Sequence, residues 1–289
     1  MMKRMLTGPL RSLAVSSLAL VFFAASGFSA HAQDESNSLP EAPLPQPGPS
    51  QSGNAPHLPL QDQPHPEPTL RQGPRMVFSD LGHIAISPAY LRTQDLKWLV
   101  PLTGASIAAF ATDTRAARDV VSHQADFNNA AGNASNGLLG ASIALPAGLY
   151  AGGLLTHNEH ARETGFLGGE AMVDAIATGE VIKLISRRER PNVDNAQGNF
   201  FSAGVGGNSS FVSSHSILAW SSAAVVADEY RNPFARVGVY ALATGVSVDR
   251  VLAEQHFPSD VLIGSAAGWL IGHYVYRAHH HWSQSHTAH

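Results

Sequence analysis

The chain of 289 residues contains no cysteine, so its stability does not depend on disulfides. Charge is also sparse. Asp, Glu, Lys and Arg make up 14 % of the residues and leave a formal net charge of −4. That balance offers no clustered basic surface, which argues against nucleic acid as a partner. Strand-type alternation of polar and apolar residues is missing at any useful length, and so is an internal repeat. What remains is a chain rich in Ala and Gly, long enough for one domain of ordinary size plus appendages.

Two appendages precede the domain. Lys3, Arg4 and Arg11 lead into an apolar run from Leu13 to Phe28, followed by Ala30-His31-Ala32. A basic start, an apolar centre and small residues at the cleavage positions predict an export signal over 1–32, cut after Ala32. Eleven of the 18 prolines then fall between Pro40 and Pro74, among Gln, Ser, Gly and His. With few backbone donors and little to bury, residues 33–75 are expected to form a disordered or extended spacer. A helical domain over 76–278 and a His-rich tail over 279–289 complete the expected organisation.

Apolar segments recur at about 97–111, 136–156, 168–186, 214–228, 234–248 and 261–277. They are too long for typical strands, so the expected class is all-α with about six core helices. Turns are expected at Asn128–Asn133 and at Gly204–Asn208. Pro258 is expected in the first turn of the last core helix, where its missing N–H costs nothing.

Three short stretches carry chemistry. The first is Lys183-x6-Arg190-Pro191. If the helix persists past Lys183, seven residues make two turns and place both cations on one face, with Arg187 and Arg188 between them. Pro191 would end that helix. Cations so spaced suit an oxyanion, and Arg offers a planar fork to phosphate oxygens. Taken alone, they also suit a solvated basic helix end favoured by the macrodipole.

Ser213-Ser214-His215 follows a Gly-rich loop and opens a helix, whose free N–H groups favour an anion. Ser213 would cap that helix and donate its hydroxyl to a phosphate oxygen, with His215 over the bound group. The third stretch is Arg250-x5-His256-x3-Asp260. Asp260, in the first turn of a helix, is placed to accept a hydrogen bond from one ring nitrogen of His256, leaving the other as a nucleophile.

Together these stretches resemble the signature of the type 2 phosphatidic acid phosphatase / vanadium haloperoxidase superfamily, K-x6-RP, PSGH and SR-x5-H-x3-D. The resemblance is expected to cover about residues 95–277. It implies a helical bundle and assigns roles by position. His256 resembles the nucleophile that becomes phosphohistidine, and Asp260 the group that orients it. His215 is similar to the acid that protonates the leaving oxygen and later activates water. Lys183, Arg190, Ser213 and Arg250, with the backbone N–H of Ser214, resemble the phosphate clamp. No metal or other cofactor is implied. Fixed cations would supply most of the catalysis, because charge builds on the equatorial oxygens in the transition state. Three positions depart from the signature. Val212 stands for its proline, Ser214 for its glycine and Asp249 for the serine before Arg250.

The implied substrate is a phosphate ester or a lipid (pyro)phosphate. The superfamily contains both soluble secreted enzymes and membrane proteins with six spans. Here only 136–156 would pass as a span unaided. The segment 168–186 carries Glu170, Asp174 and Glu180, which are costly against lipid but tolerable inside a bundle. An exported N-terminus followed by six spans would also put Lys183 and Arg190 in the cytoplasm. A domain in the periplasm or cell envelope, with membrane-surface association left open, resolves that conflict; an integral inner-membrane protein is the alternative.

Phe200 and Phe201, in the loop 192–212, would either rim the site for an acyl or prenyl chain or pack the loop onto the bundle. Two other functions compete. A vanadate-dependent haloperoxidase would use the same clamp. A non-catalytic, metal-binding envelope protein would use His279, His280, His281, His286 and His289. That tail has no Cys or acidic residue at ligand spacing, which favours a solvated tail.

Overall fold

Helix α5 (Ser214–Glu229) forms the centre, with eleven of its sixteen residues buried. It is enclosed by α3 (Ala125–Thr156), α4 (Glu159–Ser186), α6 (Pro233–Leu252) and α7 (Pro258–His279). Helix α2 (Leu96–Arg115), extended by a π turn at Ala116–Val120, lies against α7, and α1 (Gly73–Ile86) against α4. The computed structural model describes residues 73–86, 93–204 and 208–280, and no strand occurs among them. The fold is all-α. The export signal, the spacer before Gly73 and His281–His289 lie outside the described residues, as do 205–207 of the Gly-rich turn.

Each expected apolar segment lies within one of α2 to α7. Local signals explain several starts. Asn158 accepts from the Ala161 N–H at 3.0 Å to cap α4, and Asn232 accepts from Phe234 at 2.8 Å to cap α6. Pro258 occupies the first turn of α7, as expected, while Asp260 accepts the Phe257 N–H at 2.8 Å. Close contact of α7 with α5 depends on glycine. A Cβ on Gly268 would meet the Ile217 carbonyl oxygen at 2.3 Å, and one on Gly272 the Ser221 carbonyl oxygen at 2.3 Å. Larger residues there would push the two central helices apart.

Four expectations are corrected. The Asn128–Asn133 turn is helical, inside α3. Asn128 donates its side-chain N–H to Glu254 at 2.5 Å, and Gly132 faces Ala253, so packing on the end of α6 overrides weak local propensity. Helix α4 does not run to Arg190. It ends at Ser186, ahead of Pro191, where Arg187 turns left-handed (φ 43°) and donates its N–H to the Lys183 carbonyl at 3.0 Å. That turn lets Arg188 swing into buried ion pairs with Asp113 and Asp260, offsetting the cost of a non-glycine residue at positive φ. A seventh helix, α1, begins within the stretch assigned to the spacer.

The fourth correction concerns the tail. Helix α7 continues through His279. His279 bonds Glu170, and His280 pairs with Glu163 and Glu229, so neither is a solvated tail residue. Their acidic partners come from α4 and α5, far away in sequence. Glu170 and Asp174 are buried in the bundle interior. Helix α3 alone among the described helices is long and apolar enough to cross a membrane. An 18-residue window of it has a mean hydropathy of 1.6, and 17 % of that window is buried.

Candidate active site

The three stretches converge where the end of α4, the start of α5 and the α6–α7 junction meet. Lys183 comes from the last turn of α4 and is 8 % exposed. Its Nζ donates to Ser214 Oγ at 2.5 Å and lies 3.4 Å from Glu180. Burial lowers its pKa, partly countered by Glu180, while Arg190 and Arg250 lower it further. Arg190 reaches the same region from the loop after α4 rather than from a helix face. It donates to Gln255 Oε1 at 2.5 Å. Burial lowers its pKa as well.

Arg250, in the last turn of α6, is the most exacting of the three. It is 8 % exposed, its Nε is buried without a hydrogen-bond partner, and no carboxylate pairs with it among the described residues. Burial, and then Arg190, bring its pKa down to about 10. A buried charge without a partner costs several kcal/mol. Placing it beside two further cations is unfavourable unless an anion enters.

The start of α5 meets these cations. Ser213 caps the helix, its Oγ accepting from the Ser216 N–H at 3.4 Å, and its own N–H donates to the Asp260 carbonyl at 3.2 Å. The Ser214 side chain, absent from a glycine, is held by Lys183 and donates to Glu180 at 3.2 Å. His215 Nε2 lies 2.9 Å from Asn136 Oδ1 on α3. Burial, followed by Arg250, His256, Lys183 and Arg190, pushes the His215 pKa down to about 3. Four positive or titrating neighbours thus share one small volume around it.

His256 is 2 % exposed. Its orientation differs from the expectation. Nδ1 is 2.7 Å from the Ser210 carbonyl oxygen, which accepts its proton, whereas Asp260 Oδ2 stands at 3.7 Å, an ion-pair distance. The physical reason is that Asp260 is already engaged. One oxygen takes the Phe257 N–H and the other takes Arg188 Nη1 at 2.6 Å. With Nδ1 committed, Nε2 carries the free lone pair, and no described residue bonds it. Burial brings the His256 pKa to about 4, with Asp260 opposing and Arg190 and Arg250 reinforcing the shift.

Arg188 is one of two arginines between Lys183 and Arg190 in sequence, and no spacing rule singles it out. It is 3 % exposed and organises the base of the site. Nη2 donates to Asp113 at 2.7 Å and Nη1 to Asp260 and to Ser259 Oγ at 2.7 Å. The guanidinium also lies over Phe257 at 4.2 Å, Phe200 at 5.0 Å and Phe110 at 5.3 Å. Its carbonyl accepts the Ser210 N–H at 2.8 Å, which fixes the carbonyl that His256 uses. Asp113 bonds the Ser259 N–H at 3.0 Å, and burial raises its pKa against the pull of Ser259 and Arg188. No spacing rule links Asp113 to Arg188, because α2 and the loop meet only in the folded chain.

Phe200 packs on Phe110 and Phe211, with centroids 6.2 and 5.7 Å away, so it secures the loop. Phe201 is 69 % exposed beside it. Val212 is fully buried in the apolar core. Asp249 forms no ion pair with Arg250, and burial raises its pKa.

The arrangement can bind a tetrahedral anion, place a nucleophilic nitrogen beside it and supply a second histidine for proton transfer. An anion favours protonated His215, so its binding takes up a proton. Affinity therefore rises as pH falls from neutral toward the free value of about 3. Sulfate keeps a constant charge over most of that range and isolates the effect. Its inhibition should strengthen with falling pH, and His215→Asn should flatten the slope. A wild-type profile with no slope would show that His215 does not sense the bound anion.

The family model of the PAP2 superfamily matches residues 166–284. The match is shorter at its start than the 95–277 expected, and α2 and α3 lie outside it. No curated protein and no solved structure matches the chain. The matched family supports phosphoryl transfer of the phosphatase or haloperoxidase kind and a phosphate-ester substrate. The matched residues 166–284, which hold every residue of the three stretches, are similar to the PAP2 superfamily, that of the type 2 phosphatidic acid phosphatases.

Proposed function

We infer that the protein is a metal-independent phosphatase that hydrolyses phosphate monoesters or lipid (pyro)phosphates through a phosphohistidine at His256. The observation that carries this reading is Arg250, a buried guanidinium with no carboxylate partner, next to Arg190 and Lys183. A phosphate group supplies the missing negative charge. Its three equatorial oxygens would be held by Lys183, Arg190 and Arg250, with Ser213 and the Ser214 N–H at the positive end of α5.

His256 Nε2 attacks phosphorus as the P–O bond to the leaving group breaks. His215 donates its proton to the departing oxygen. It then takes a proton from water, which attacks the phosphohistidine and releases phosphate, restoring His256. Asp260 acts at a distance of 3.7 Å by stabilising positive charge on the ring, while the Ser210 carbonyl sets the tautomer.

The division into signal (1–32), spacer (33–75), catalytic domain (76–278) and tail (279–289) belongs to the same reading, with the tail beginning after His280 rather than at His279. A location in the periplasm or cell envelope rests on the export signal. The apolar, largely exposed α3 gives the domain a side suited to a membrane surface.

The test is direct. Purified protein is assayed for phosphate release from a generic ester and, separately, for halide oxidation with vanadate and peroxide. Phosphate release without added metal is the expected result. Halide oxidation alone would replace this reading with the haloperoxidase one, and neither activity would favour a binding protein.

A further inference from the structure

A second polar cluster lies on the same helix as Lys183 but away from the clamp. Asp174 precedes Lys183 by nine residues, about 14 Å along α4. Around it, Asp80 of α1, Glu170 of α4 and His279 of α7 bring one ligand atom each within 4.8 Å of one another. Asp80 is 1 %, Glu170 6 % and Asp174 0 % exposed.

The polar contacts inside the cluster are few. His279 Nδ1 is 3.1 Å from Glu170 Oε2, and its Nε2 is 3.6 Å from Asp80 Oδ1. Tyr274 donates its hydroxyl to Asp80 at 3.1 Å. Four carboxylate oxygens remain buried without a partner: Asp80 Oδ2, Glu170 Oε1 and both oxygens of Asp174. Asp174 lies within hydrogen-bonding reach of Asp80 and next to Glu170, so the three carboxylates face one another. Acceptors facing acceptors in a dry interior require something positive between them.

One imidazole, His279, and one hydroxyl, Tyr274, do not satisfy three carboxylates. We propose that Asp80, Glu170 and His279, with Asp174 beside them, bind one divalent transition-metal cation. The mixed nitrogen and oxygen donors suit Zn2+ or Mn2+, whereas Ca2+ and Mg2+ prefer oxygen alone. The ion would tie α1 and the end of α7 to α4. Its role is structural, because none of these residues belongs to the oxyanion clamp, and it is compatible with a metal-independent reaction.

The experiment uses the full chain, stripped with chelator and dialysed against Zn2+ or Mn2+, with retained metal counted by mass spectrometry. One equivalent should remain, with a rise in thermal midpoint. Glu170→Gln and Asp174→Asn should each weaken retention by at least about tenfold while keeping the helical circular dichroism and phosphate release. Removal of 281–289 should leave retention unchanged. No retained metal in the wild type would overturn the proposal. So would retention that survives Glu170→Gln but vanishes with the tail, which would assign binding to the terminal histidines.

Discussion

Replacing His256 by alanine should lower phosphate release by on the order of 10⁴-fold or more, with the helical fold retained. The ring makes one hydrogen bond, to the Ser210 carbonyl, so its loss removes the nucleophile at modest structural cost. The clamp stays in place, because Lys183, Arg190 and Arg250 do not depend on the imidazole for their contacts. Sulfate should therefore still bind the variant. His215→Ala tests the other half of the reaction and should cost about 10²–10⁴-fold. That loss should shrink with an ester whose leaving group needs no proton, whereas the His256→Ala loss should not. Phosphate trapped on His256 in the wild type would complete the assignment. A His256→Ala enzyme with undiminished turnover would rule out the phosphohistidine route.

Arg188→Ala should be the most destabilising single change, by about 3–5 kcal/mol in urea unfolding. It would leave Asp113 and Asp260, 2 % and 0 % exposed, without their shared counter-charge. It would also remove the cation lying over Phe257, Phe200 and Phe110. Arg188→Lys should recover only part of this, since one ammonium cannot make the forked contacts to both carboxylates and to Ser259. Asp113→Asn in the Arg188→Ala background should restore stability, because it removes one uncompensated charge. A loss below about 1 kcal/mol for Arg188→Ala would mean that the three-way pairing contributes little.

Arg188 and Arg250 differ in a way that clarifies the site. Both are buried arginines. Arg188 has its carboxylates and serves the fold, whereas Arg250 has none among the described residues and, in the proposed reading, takes its counter-charge from the substrate. Spacing alone cannot separate the two, because a guanidinium is assigned by what it meets.

The helices were legible because apolar runs, the Ser213 cap and Pro258 at a helix start act through neighbours in the chain. The three stretches that the fold brings together stand out for a related reason. Each stretch sits at a helix end, and each end has a local signature. Legibility failed where distant contacts outweigh local propensity. Asn128–Asn133 looks like a turn but is helical because α6 packs on it. Helix α4 looks continuous to Arg190 but breaks at Arg187 so that Arg188 can be buried between α2 and α7.

The same distinction governs the histidines. Spacing pairs His256 with Asp260, and the fold keeps them close but hands the ring proton to Ser210, because the Phe257 N–H and Arg188 have already claimed the two carboxylate oxygens. His279 has no acidic neighbour in sequence and three in space. Helix content, helix ends and the spacing of the candidate site residues are therefore properties of local chemistry. The choice of partner for each buried charge belongs to tertiary packing, because a charge removed from water must be answered by whichever element reaches it.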